Sequence, residues 1–210
     1  YTARTRQSKD YASAHRQILA DWIASLNFNP SLKETVYPVV SARSHGATFW
    51  DLDGNEYVDT AMGYGVHFFG HQPDVIVNAV REQLDRGYEL GPQNRTAGEV
   101  AELIHEMVGA ERVAFCNTGT EAVMVSIRLA RAVSGRDTIA RFTTSFHGAY
   151  DGVLAEADGD ESMPMSIGIP QSAIDDTMVL TYGSPESLDR IRRHGPELAA
   201  VLVEPVQSRN

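Results

Sequence analysis

The sequence predicts an α/β protein with a mostly parallel sheet. Beyond residue 111, short apolar runs alternate with stretches of helical period, which is the order that βαβ units produce. Residues 198–203 form a continuous apolar run, as a strand buried on both faces does. The polar breaks that follow these runs fall where α/β sheets bind ligands, at the carboxyl ends of strands.

Taken in order, residues 1–30 read as a linker and an amphipathic helix, and residues 31–210 as an N-terminal segment followed by the first half of a large α/β domain that is incomplete. The polar, basic stretch YTARTRQSKD predicts a mobile tether. Tyr11, Ile18, Leu19, Trp22, Ile23 and Leu26 recur at helical spacing, and residues 27–30 end the pattern. In ATFWDLDGNEYVDTA two strand-like runs flank Asp53-Gly54-Asn55, a tight-turn signal. Asp51, Asp53 and Asn55 alternate like calcium ligands, but the glycine stands fourth rather than sixth and no helix precedes it. Helices follow at 73–86 and 96–108. Thr96 and Glu99 suggest a capping box for the second, Val100, Leu103, Ile104, Met107 and Val108 its stripe, and Gly109 its stop. Then come a strand at 112–116, a helix at 120–133, a strand at 138–142, a long loop and a strand at 178–181. Ser184-Pro185 opens a helix to His194, and 198–203 is the last strand.

The 210 residues, 42% of them hydrophobic, suffice for a sizeable core. A net charge of −10 opposes nucleic acid and anionic membranes as partners, leaving small molecules or proteins. The single cysteine, Cys116, supports no disulfide framework and reads as a buried thiol. With neither a leader signal nor a run long enough to span a bilayer, the reading places the protein in the cytoplasm.

Three strand ends carry chemistry. Asn117-Thr118-Gly119-Thr120 separates a strand from a helix. Unpaired N–H groups and the dipole at a helix start favour an anion, and Gly119 permits close approach; a strand-to-helix turn capped by threonine is the plainer alternative. The tetrapeptide has neither the dinucleotide nor the P-loop glycine pattern. In TTSFHGAYDG, Phe146 and His147 can serve a flat aromatic ligand or fold back on the core. In LVEPVQ, Glu204 ends a buried strand, where a carboxylate is paired, solvated or functional. His67 and His71 have the four-residue spacing of a metal pair, but the glycines around them disfavour a helix and no third ligand is evident, so no metal is expected.

FCNTGTEAVMVSIRLAR, SFHGAYDGVL and VLVEPVQ, preceded by WDLDGNEYVD and GHQPDVIVNAV, resemble the class III aminotransferases, pyridoxal-phosphate enzymes of fold type I. The resemblance runs over residues 37–207. Two branches stand nearest: glutamate-1-semialdehyde aminomutase, and the aminotransferase domains embedded in polyketide and nonribosomal peptide synthases. YPVVSARSHGATFWDLDGNEYVD, GYELGPQNRTAGEVAELI and EPVQSRN look more like the embedded domains. The resemblance implies that Thr118, Gly119 and Thr120 bind the phosphate of pyridoxal phosphate, that Phe146 stacks on its ring with His147 beside it, and that Glu204 lines the pocket. Tyr64 would help form the substrate mouth, and the Gly91-Pro92-Gln93 loop would lie near the partner of a homodimer.

The same resemblance places the lysine that holds the cofactor, and the acid that keeps its pyridine nitrogen protonated, after the EPVQ strand. Lys9 and Lys33, the only lysines, come too early to match, so no catalytic residue of that kind is expected before Asn210. The chain therefore reads as the N-terminal half of an aminotransferase that passes an amino group from a small-molecule donor to a keto group, a β-ketoacyl thioester on a carrier protein being the acceptor suggested. An aminomutase and a catalytically incomplete docking fragment are the alternatives.

Overall fold

The computed structural model describes residues 1–20, 29–87 and 91–207. It falls into two compact units, Tyr1–Asn94 and Arg95–Asn210.

The first unit is built on an antiparallel meander of β1 (Ser41–His45), β2 (Thr48–Asp51) and β3 (Glu56–Val58). Phe49 and Tyr57, directly opposite across β2 and β3, stack with centroids 5.0 Å apart. The Asp51 carboxylate accepts from the Asn55 backbone N–H, the Asn55 amide and the Tyr57 hydroxyl, each at 2.8 Å. This aspartate thus ties the turn together. α1 (Arg6–His15) corrects the expected tether. Thr5 and Ser8 are buried: the Thr5 hydroxyl meets the Tyr37 hydroxyl at 2.8 Å, and Ser8 Oγ accepts from the Val40 N–H at 3.0 Å. The helix expected over 11–26 therefore lies earlier, because two small hydroxyl residues rather than an apolar stripe dock it. Trp22, Ile23 and Leu26 lie outside the described residues. α2 (Asp74–Arg86) follows the expected bounds closely.

The second unit holds α3 (Thr96–Val108), α4 (Gly119–Ser134), β4 (Thr138–Phe142), a hairpin of β5 (Ala155–Asp158) and β6 (Glu161–Pro164), β7 (Thr177–Leu180), α5 (Pro185–His194) and β8 (Leu198–Val201). β4 is central in a parallel sheet of order β7-β4-β8, so the parallel reading holds. α5 begins where Ser184 Oγ accepts from the Ser187 N–H, as its sequence predicts. On one side Ile139 packs with Ile127 of α4 and with Val153; on the other Ala140 and Phe142 pack with Leu180, Leu198 and Ile191 of α5. Helices thus cover both faces, which leaves strand ends as the accessible edge.

Four local expectations fail. Residues 112–116 form no strand, because a strand exists only with a ladder partner and none reaches them among the described residues. Cys116 is consequently exposed rather than buried. Thr96 is the first helical residue of α3, not its cap, and Glu99 pairs with Arg95 at 2.7 Å instead of closing a capping box. The loop between β4 and β7 contains the β5–β6 hairpin, which turns at Gly159 with φ +60°.

Candidate active site

α4 starts where Thr118 leaves the extended conformation. Its hydroxyl accepts from the Glu121 N–H at 3.1 Å, and the Glu121 carboxylate reaches back to the Asn117 N–H at 2.8 Å. Thr118 is thereby a cap. The Gly119 and Thr120 N–H groups meet no acceptor among the described residues, and a Cβ on Gly119 would point into open space. These two donors, at the positive end of a sixteen-residue helix, suit an anion.

The 145–149 loop lies against this helix start. The Ala149 N–H donates to Thr120 Oγ1 at 3.0 Å. Gly148, at φ +87°, approaches so closely that a Cβ there would stand 2.5 Å from Thr120 Oγ1 and 2.8 Å from Thr120 Cα. Phe146, one turn of chain earlier, keeps 52% of its surface exposed, so it is not folded back into the core. Its N–H donates to Glu204 Oε2 at 3.1 Å, which brings the end of β8 to the same place. Gln207 adds a second tie: its amide donates to the Thr143 carbonyl at 2.7 Å and its carbonyl accepts from the Thr144 hydroxyl at 3.0 Å.

His147 is buried, and its Nε2 meets no hydrogen-bond partner among the described residues. Burial, then the positive charge of Arg141, push its pKa below the usual histidine value, while the Glu204 carboxylate partly opposes them. The imidazole is therefore neutral near pH 7.

The structure thus joins Thr118, Gly119, Thr120, Phe146, His147 and Glu204 at one edge of the sheet. Tyr64 belongs to the other unit and is fully exposed on a left-handed turn, where residues 62–65 all have positive φ. Sequence reasoning passed over Arg141, Gly148 and Gln207. An arginine inside the buried run TIARF was a visible signal for the first, since a strand interior admits such a residue only with partners.

Two N–H donors at a helix start, an exposed ring and a carboxylate thus meet at neighbouring strand ends. The chain belongs to the aminotransferase class-III family, whose model matches residues 31–210. Among curated relatives, glutamate-1-semialdehyde 2,1-aminomutase of Caldivirga maquilingensis is 38% identical over 181 residues, 84% of this chain and 42% of that protein. The same enzyme of Deinococcus radiodurans is 40% identical over 180 residues, 80% of this chain and 40% of its own. Among solved structures, an omega-transaminase from Sphaerobacter thermophilus superposes with a TM-score of 0.82 at 33% identity, covering 94% of this chain and 47% of that one. The chain thus spans less than half the length of these relatives.

Proposed function

We propose that this chain is the N-terminal half of a pyridoxal-phosphate-dependent enzyme that transfers an amino group to a keto group. The convergence of the α4 N-terminus, the Phe146 loop and Glu204 carries this reading. The residues fit the cofactor: two unspent N–H donors await an anion, Phe146 offers an exposed face, and the buried Nε2 of His147 awaits a polar partner. When bound, pyridoxal phosphate supplies an electron sink that stabilises negative charge on the carbon bearing the transferred amine.

The chain's own residues then hold and orient. Gly119 and Thr120 take the phosphate through their N–H groups; Thr118 fixes the helix start that aims them. Phe146 stacks on the pyridine ring. Glu204 anchors the Phe146 backbone, and neutral His147 offers one polar atom without adding charge. Tyr64 keeps the substrate-binding role that the family resemblance implies. The covalent lysine and the pyridine-nitrogen acid come from residues after Asn210.

The apolar stripes of α2 and α3 support the reading as a half-domain. Val75, Val80, Leu84, Leu103, Met107 and Val108 are all more than half exposed among the described residues, and such stripes need a cover, supplied by the rest of the domain and a second subunit in a cytoplasmic homodimer. For the acceptor, we favour a β-ketoacyl thioester on a carrier protein of a polyketide or nonribosomal peptide synthase, because EPVQSRN departs from the glycine-rich continuation common in the family. The names of the curated relatives favour a second reading, an aminomutase acting on glutamate semialdehyde.

The test uses the full-length polypeptide loaded with pyridoxal phosphate. Amino donors should convert the cofactor to its amino form, seen by absorbance, and a carrier-bound ketoacyl substrate should reverse the change. Turnover of glutamate semialdehyde alone would select the aminomutase. No spectral response to any amine would refute both.

A further inference from the structure

Arg141 stands at the fourth position of β4, 2% exposed, in the middle of the buried run TIARF. Its guanidinium reaches two places at once. Nη1 donates to the carbonyls of Val153 at 2.8 Å and Ala155 at 2.6 Å. Nη2 donates to the Ser145 carbonyl at 2.7 Å and to Ser145 Oγ at 3.1 Å. Ser145 precedes Phe146, and Val153 and Ala155 flank the entry to β5, so one side chain clamps both ends of the segment that carries Phe146, His147 and Gly148. A lysine ammonium is a single point and cannot bridge the two ends; the planar fork of arginine can.

The same charge bears on His147. The charged groups acting on that imidazole are Arg141 from β4 and Glu204 from the segment after β8, and they oppose each other. Arg141 thus ties the loop through its fork and biases the imidazole through its charge.

We propose that Arg141 is a positioning residue of the cofactor site, whose guanidinium on β4 ties together both ends of the segment that carries Phe146, His147 and Gly148. The cofactor reading given above supplies only the ligand of this site; the clamp and the charge act on the chain without one.

Two variants of the full-length polypeptide separate the parts. Arg141→Lys keeps the charge and loses the bridge; Arg141→Met loses both. In cofactor-free protein labelled with ¹⁵N-histidine, the His147 ring should titrate at its low wild-type pH in Arg141→Lys, and measurably higher in Arg141→Met. Fluorescence titration with pyridoxal phosphate should show at least tenfold weaker binding in both variants, because both release the loop. Overturning results are a His147 titration that is the same in wild type and folded Arg141→Met, or pyridoxal-phosphate affinity unchanged in Arg141→Lys. If Arg141→Met fails to fold, the affinity of Arg141→Lys alone decides, weakened for the proposal and unchanged against it. A wild-type protein that binds no pyridoxal phosphate sinks the cofactor reading, while the histidine titration still tests the charge effect.

Discussion

Replacing Gly148 by alanine probes the closest approach in the site. Two costs add. At φ +87° an L-residue is strained by about 1–2 kcal/mol. The new methyl would also stand 2.5 Å from Thr120 Oγ1 and 2.8 Å from Thr120 Cα, a backbone atom that cannot swing aside. Overpacking of that kind costs about 1–3 kcal/mol. Any shift that relieves it lengthens the 3.0 Å bond from the Ala149 N–H to Thr120 Oγ1, worth about 1 kcal/mol. Gly159→Ala is the control: φ is +60° there and nothing lies within 4 Å of the added methyl, so only the strain remains. Both substitutions restrict the unfolded chain equally, so the difference isolates the clash, about 2–4 kcal/mol in favour of the control. Urea unfolding followed by far-ultraviolet circular dichroism measures it. Equal stabilities within about 0.5 kcal/mol, below the smallest penalty for overpacking, would refute the close packing of loop on helix.

Further outcomes follow from the same geometry. Thr118→Ala removes the cap of α4 and should lower stability by about 1 kcal/mol in the same urea assay, whereas Thr118→Ser should not. Phe146→Ala should change stability little, because half the ring is already exposed, yet weaken pyridoxal-phosphate binding at least tenfold by equilibrium titration; Phe146→Tyr should bind normally. Because His147 is harder to protonate folded than unfolded, the unfolded state takes up more protons below the ordinary value of 6.5. Its contribution is therefore complete above that pH and is lost as pH falls through and below it; His147→Gln should flatten this part of the stability–pH curve.

The elements legible in the sequence were those that carry their own boundaries. α4 and α5 have a hydroxyl cap at the start, and the residues after α3 and α4 are glycines at positive φ, so their limits came out within a residue or so. The stretch 112–116 misled because its apolar character describes a strand without supplying a neighbour. α1 was hidden since it docks through Thr5 and Ser8, which no hydropathy pattern reveals. The hairpin 155–164 was hidden by its acidic, glycine-containing sequence, although Asp158-Gly159 is itself a turn signal. In the site, Phe146 and Glu204 were visible as odd residues at strand ends, but their contact was not, because it spans 58 positions and depends on β8 lying beside β4.

The order β7-β4-β8 has a practical consequence for anyone handling these 210 residues. Among the described residues β8 pairs only with β4, which leaves its other side as a row of backbone donors and acceptors, and the apolar stretch 112–116 has no ladder either. On the half-domain reading, these residues produced alone offer other copies a template for strand addition, and aggregates rather than clean monomers should come from the expression host. Supplying the missing half in trans, on a second plasmid, is then a route to a soluble and assayable protein.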